Sequence, residues 1–263
     1  MSQSSSDAAN TSAPAKRQRP VIAIDGPAGA GKSTLAAHLA RRFGFLNLET
    51  GAMYRALALK AIENDYSFEE EQPLLDLASD TRIVLQPQVE GNRVLLDSID
   101  VSRRIREQDV TSAASRISIH PRLRAWMVQQ QRVLGQAGGV VMEGRDIGTA
   151  VFPDAEVKIF LDAAPEVRGN RRYRQVVPQP AGDHPTARQT HDRQSPDAVS
   201  DDQKRLDEEA VLRELKERDY RDRNRAESPL QPAVDAVILD STSLTLDQVL
   251  ARAEEIVRSH LPS

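Results

Sequence analysis

Residues 26–33 read Gly26-Pro27-Ala28-Gly29-Ala30-Gly31-Lys32-Ser33, followed by Thr34. Gly26, Gly29 and Gly31 can take positive φ, so successive backbone N–H groups can turn towards one anion with no Cβ in the way. In this spacing Lys32 reaches the outer phosphates of a nucleotide and the Ser33 hydroxyl sits on Mg²⁺. A glycine-rich surface turn is the bland reading, and the flanks argue against it. Val21-Ile22-Ala23-Ile24 is apolar on both faces, as a covered parallel strand requires. Leu35, Leu39 and Phe43 recur at helical spacing, with Arg41 and Arg42 left to solvent. Strand, loop and helix in that order aim unpaired helix N–H groups and the helix dipole at a phosphate. Asp25, between strand and loop, reads as a residue that fixes the loop rather than one that does chemistry.

The second chemical feature is arginine. Arg218, Arg221, Arg223 and Arg225 crowd one helical stretch. At about 100° per residue, Arg221 and Arg225 fall within about 60° of Arg218, and Arg223 falls on the far side. Three guanidinium groups on one face repel unless an anion lies among them. Alternatively, Asp219 and Asp222 pair with them along a solvated helix, and spacing alone leaves both readings open. Arg55, Arg122, Arg124, Arg145 and the group Arg168, Arg171, Arg172 and Arg174 stand mostly at sheet loops. Moving a γ-phosphoryl group demands positioning and positive charge more than covalent chemistry. An acceptor that is itself a phosphate needs more of that charge than an alcohol does.

The elements that must hold these groups alternate. Short apolar strands at Val21–Ile24, Leu46–Leu48, Val140–Met142, Val157–Leu161 and Ala236–Leu239 are separated by helical patterns. This predicts an α/β fold with a five-stranded parallel sheet flanked by helices. Thr50 is placed to N-cap the second helix, and Thr245 with Gln248 to cap the last. Between strands two and three the period changes. Ile83–Leu85, Arg93–Leu96 and Ile99–Val101, with turns at Glu90-Gly91-Asn92 and Asp97-Ser98, predict an inserted antiparallel meander. Helices over 103–118 and 121–134 follow, with Trp126 in the core. Ser200-Asp201-Asp202-Gln203 has capping-box form and opens a long charged helix.

Composition narrows the partners. The 263 residues carry 35 basic and 39 acidic side chains, a net charge of −4, so no global basic field exists for nucleic acid or an anionic membrane. Zero cysteines exclude disulfides and thiolate metal sites, and the five histidines lack ligand spacing. No run approaches a membrane span. Residues 1–19 read as a disordered tail, with a transit peptide as the alternative, and the cytoplasm is the default address.

Taken together, the loop from Gly26 to Thr34, Thr50-Gly51-Ala52-Met53-Tyr54-Arg55, Glu143-Gly144-Arg145-Asp146-Ile147-Gly148-Thr149, Val157 to Asp162, and Arg218-x-x-x-Asp222-Arg223-x-Arg225 resemble bacterial cytidylate kinases, members of the P-loop nucleoside monophosphate kinases. The resemblance runs from about Val21 to the C-terminus. It implies a single P-loop kinase domain over 20–263, with a monophosphate-binding insert at about 49–130 and an Arg-rich lid at about 166–203. It implies transfer of the γ-phosphate of ATP to CMP or dCMP with Mg²⁺, by a monomer. Residues 26–34 would bind ATP, and Ser33 and Glu143 the metal. Lys32, Arg145, Arg168 and Arg172 would serve the transfer, the last two closing over the phosphates. Thr50, Arg55, Arg145, Arg218 and Arg225 would hold the CMP phosphate end, and Ser115, Arg124 and Asp146 would read cytosine. Members more often carry Asp where Glu143 stands, and the polar stretch 175–200 lengthens the lid. A P-loop kinase for UMP or a small alcohol, or a nucleotide-dependent switch protein, are the alternatives.

Overall fold

The computed structural model describes residues 17, 19–88, 91–176 and 201–261. Five parallel strands form the main sheet: β1 (Val21–Asp25), β2 (Leu46–Glu49), β6 (Val140–Glu143), β7 (Val157–Asp162) and β8 (Val237–Asp240), in the order β2-β6-β1-β7-β8. The period-two alternation of β1 explains why it is apolar throughout. Val21 and Ala23 face one core with Val140 and Met142, while Ile22 and Ile24 face the other with Val141 and Ile159.

Helices α1 (Lys32–Phe43) and α8 (Leu246–His260) cover the second face. Leu35 and Leu39 of α1 and Val249, Ala253 and Val257 of α8 are buried there, matching the predicted stripes. Gly44, left-handed at φ 66°, ends α1 by donating its N–H to Ala40 O. Thr245 and Gln248 form the full capping box of α8.

The other face carries α2 (Gly51–Glu63), α4 (Gln108–Ile117), α5 (Pro121–Gly135) and the insert. The insert holds α3 (Glu71–Ser79) and the meander β3 (Ile83–Gln88), β4 (Gly91–Leu96) and β5 (Ile99–Asp100). Its predicted β4–β5 turn is present, with Asp97 and Ser98 at φ 47° and 75°. Asn92 corrects the sequence reading. It belongs to β4, not a turn, and its side chain accepts from Glu49 N and donates to Asn47 O, pinning the meander to β2. The expected helix over 103–118 is broken: a 3₁₀ turn (Arg104–Arg106) precedes α4, because Glu107 is extended at ψ 154° and Asp109 favours a fresh helix start. Trp126 packs against the core, as expected.

Two long helices, α6 (Pro165–Val176) and α7 (Asp201–Asn224), lie against each other over the carboxyl ends of β7 and β1. Most of the expected lid insert (177–200) and the Ser200 cap lie outside the described residues. So does most of the expected tail, but its end is docked. Arg17 pairs with Asp154 at 3.0 Å and Glu156 at 3.3 Å and stacks on Phe152, and Arg19 lies over the Phe45 ring.

Candidate active site

The glycine loop leaves β1 at the sheet's carboxyl edge and enters α1. Gly26 has φ 149°, and a Cβ there would sit 2.0 Å from Leu161 O, so the loop can cross β7 only as glycine. At Gly29 (φ 74°) a Cβ would stand 3.1 Å from Arg168 O, a tight approach but a looser one than at Gly26. Three loop carbonyls are held from outside. Lys32 Nζ donates to Pro27 O (2.7 Å), Arg168 to Ala28 O (3.0 Å) and Arg171 to Ala30 O (3.3 Å). With the oxygens tied outwards, the amides are left to face an anion.

Beneath the loop, Lys32 and Glu143 are both buried and near enough to feel each other's charge. Burial pushes Lys32 down to about 7, and the charge of Arg145 adds to it. Burial pushes Glu143 up to about 7, and Glu49 raises it further. The Ser33 hydroxyl lies near enough to Glu143 to favour its ionised form, and Glu143 Oε1 finds no hydrogen-bond partner among the described residues. A carboxylate with a spare oxygen beside a hydroxyl, next to a polyphosphate loop, suits Mg²⁺, which takes few protein ligands and keeps the rest for phosphate and water.

Facing the loop are the arginines. Arg145 extends from the end of β6 and donates to Asp222 at 2.9 Å. Arg55 pairs with Glu49, which also accepts from Arg106 at 3.3 Å. Despite burial, these two guanidinium groups hold Glu49 below the usual carboxylate range. Arg145, Arg218 and Arg225 do the same for Asp222. The cations show the converse strain. Burial, with Arg145 next, brings Arg218 down to about 10, and burial with Arg124 lowers Arg225. Burial and neighbouring guanidinium groups thus both work against these cations. Arg172 is half-buried and close enough to contribute to the lowering of Arg218.

Several predicted residues are placed differently. Arg168 is buried at 3 % exposure. It binds Ala163 O and Ala28 O and pairs with Asp219 at 2.6 Å, which makes it a strut between α6, α7 and the loop rather than a closing arm. Thr50 does not cap α2 with its side chain. Its backbone is already helical (φ −64°, ψ −28°), and its hydroxyl donates to Glu143 O at 2.7 Å. Arg221 donates back to Glu217 O at 3.4 Å and does not join Arg218 and Arg225. Asp219 and Asp222 are buried partners of Arg168 and Arg145, not surface charges along one helix.

The third cluster lies deeper, between α2, α4 and the segment after β6. Arg124 pairs with Asp146, and Arg225 approaches the same carboxylate at 4.0 Å. Arg124 lies over the Tyr54 ring, and burial pushes the Tyr54 phenol up to about 12. The Tyr54 and Ser115 hydroxyls, Arg124 Nε, Arg225 Nη2, Arg55 Nε and Arg218 Nε are all buried without a hydrogen-bond partner among the described residues. Such groups cost about 1–3 kcal/mol each when left unpaired, so their convergence points to a polar, anionic ligand. Beyond α6, a cleft of about 570 Å³ opens beside the loop, lined by Asp162, Ala164, Arg168, Asp219, Arg223 and Thr242.

Tyr54, Glu49 and Asp219 were missed as site residues in the sequence reading. Tyr54 sits inside the quoted Thr50–Arg55 motif, yet an aromatic on an Ala/Leu-rich helix reads as core. Glu49 and Asp219 become visible only once their arginine partners are known.

Comparison with known proteins gives a consistent result. The family model described as "Cytidylate kinase" matches residues 22–187 and 186–259. A cytidylate kinase of Aeromonas salmonicida is 44 % identical over 88 % of this chain and 91 % of its own. One of Vibrio cholerae is 42 % identical over 92 % and 97 %, and one of Geobacillus thermodenitrificans 43 % identical over 93 % and 99 %.

Proposed function

The chain belongs to the cytidylate kinase family, and from that premise we propose that it transfers the γ-phosphoryl group of ATP to CMP or dCMP. The observation that carries the reading is the set of unpartnered buried donors and over-crowded cations running from the glycine loop to Asp146. A single nucleotide at the loop would not use the deep end of this row. A nucleoside monophosphate with its phosphate towards Lys32 and its base towards Asp146 would.

The loop amides and the α1 N-terminus hold the donor's β- and γ-phosphates. Lys32, now on Pro27 O, turns to those phosphates when they bind. Arg55, Arg145 and Arg218 neutralise the acceptor phosphate, so its oxygen can approach the γ-phosphorus in line. A P–O bond to that oxygen forms as the bond to ADP breaks, and Arg172 and Lys32 meet the charge as it spreads. The acceptor oxygen is already ionised, so no general base is needed. Arg168 acts indirectly, by holding the loop. Glu143 and Ser33 would hold Mg²⁺, which supplies further positive charge at the polyphosphate. The donor nucleoside would extend into the cleft beside Asp162 and Thr242. At the base end, Asp146 accepts from the cytosine amino group and repels the carbonyl of uracil, while Arg124 and Ser115 offer donors to the remaining base edge. By analogy with base-edge recognition on DNA, this is worth about 1–3 kcal/mol, or about 5- to 150-fold.

Among the described residues no helix is long and apolar enough to cross a membrane. The reading includes a cytoplasmic monomer that binds neither nucleic acid nor membrane. An ADP-release assay across nucleoside monophosphates and small alcohols tests it. CMP and dCMP should be the preferred acceptors. ADP release indifferent to CMP would favour a switch protein, and a preference for an alcohol would favour the other kinase class.

A further inference from the structure

Asp25 is 5 % exposed, and both its carboxylate oxygens are engaged. Oδ1 accepts from Ile147 N at 2.8 Å and Oδ2 from Gly148 N at 2.7 Å. Those are the first two amides after Asp146, and they open a π-type turn (Ile147–Val151). Asp146 O accepts from Ala150 N and Val151 N at 2.8 and 3.1 Å, and Arg132 ties the far end through Ala150 O and Val151 O. A Cβ at Gly148 would touch Asp25 Oδ2 at an ordinary 3.4 Å and press on Lys158 Cδ at 3.2 Å, so the segment packs closely on both side chains. On its other side Asp25 adjoins Gly26, so one residue joins the start of the donor loop to the segment that carries Asp146.

We infer that Asp25 is a positioning residue for acceptor specificity: by clamping the amides of Ile147 and Gly148 it fixes where the Asp146 carboxylate meets the base. The inference rests on the proposed CMP kinase activity and adds a determinant outside the acceptor pocket. A carboxylate is required because two parallel N–H donors need two acceptor oxygens, whereas asparagine would turn an NH₂ group against one of them. Burial pushes this carboxyl up to about 6, a penalty that a neutral residue would escape, so keeping the acid costs the fold something.

The test measures kcat/KM for CMP and for UMP on the same preparations of wild type, Asp25→Asn and a remote core control, Val257→Ala. Asp25→Asn should lower the CMP/UMP ratio about tenfold, mainly through KM for CMP, with KM for ATP nearly unchanged. The control should lose stability and keep the ratio. A merely structural Asp25 would lower kcat for both nucleotides alike. Should Asp25→Asn not fold, Asp25→Glu decides, since it keeps the charge but displaces the two acceptor oxygens from the Ile147 and Gly148 amides. A severalfold fall in the ratio supports the inference, and an unchanged ratio overturns it. A wild type without CMP preference removes the functional reading and the inference with it, whereas preference retained in the variants removes the inference alone.

Discussion

Replacing Glu143 by glutamine should make the protein harder to melt while crippling it. Burial and Glu49 move this carboxyl from 4.5 to about 7. Each unit corresponds to about 1.4 kcal/mol, so an ionised Glu143 costs the ligand-free fold about 3 kcal/mol near neutral pH. The sign follows from the raised folded value: stability from the neutral form is complete below about pH 4.5 and is lost as pH climbs towards 7. Glutamine keeps the shape and removes the charge, but Lys32 loses the attraction of its partner. A net gain of about 1–2 kcal/mol at pH ~7.5 should remain, or about 2–8 °C in Tm. At pH ~4.5 the gain should disappear. Thermal denaturation of both proteins at the two pH values, without nucleotide, reads this directly. No gain at neutral pH, or the same gain at acid pH, would refute the argument that charge at this position is held against the fold's preference. Turnover should fall and the Mg²⁺ requirement rise in the same variant.

Lys32→Ala should leave a folded protein whose turnover is lower by several orders of magnitude; retained activity would falsify its role at the outer phosphates. Asp146→Ala should erode the preference for CMP over UMP by about 5- to 150-fold, read from kcat/KM on both nucleotides. Asp219→Ala leaves Arg168 buried without its carboxylate and should cost about 3–5 kcal/mol in chemical denaturation while weakening ATP binding. If instead that variant binds ATP normally, the strut does not hold the loop.

The local part of the fold was readable. β1, the glycine loop and α1 follow from alternation, positive-φ glycine and helical spacing, each a signal contained within a few residues. The meander was readable because its period and turns are local too. Thr50 was not. Its hydroxyl does serve a backbone group, but that group lies on β6, and no short-range pattern distinguishes a cap from a bond of that length in sequence. The same limit explains the arginine helix. Helical geometry placed Arg218 and Arg225 together and left open whether Asp219 and Asp222 pair along a solvated helix. Asp222 does pair with Arg225 at i,i+3, but both carboxylates are buried and also bind arginines of other elements, Arg168 and Arg145, which no local spacing reveals. Asp25 was read as fixing the glycine loop beside it; its carboxylate instead holds the segment after β6, a contact 122 residues away that local pattern does not show.

The anchored carbonyls of Ala28 and Ala30 bear on how quickly a nucleotide can be captured. Arg168 and Arg171 already dictate which way those peptide planes point, and the ordering that other glycine-rich segments undergo on meeting a ligand is completed here when the chain folds. Encounter with ATP should then be limited by diffusion and desolvation, with little waiting for the cradle to assemble. The rigidity has a mechanical corollary: because α6 supplies both guanidinium groups, a displacement of that helix would pull on the cradle itself, so the state of the lid can be felt at the donor phosphates.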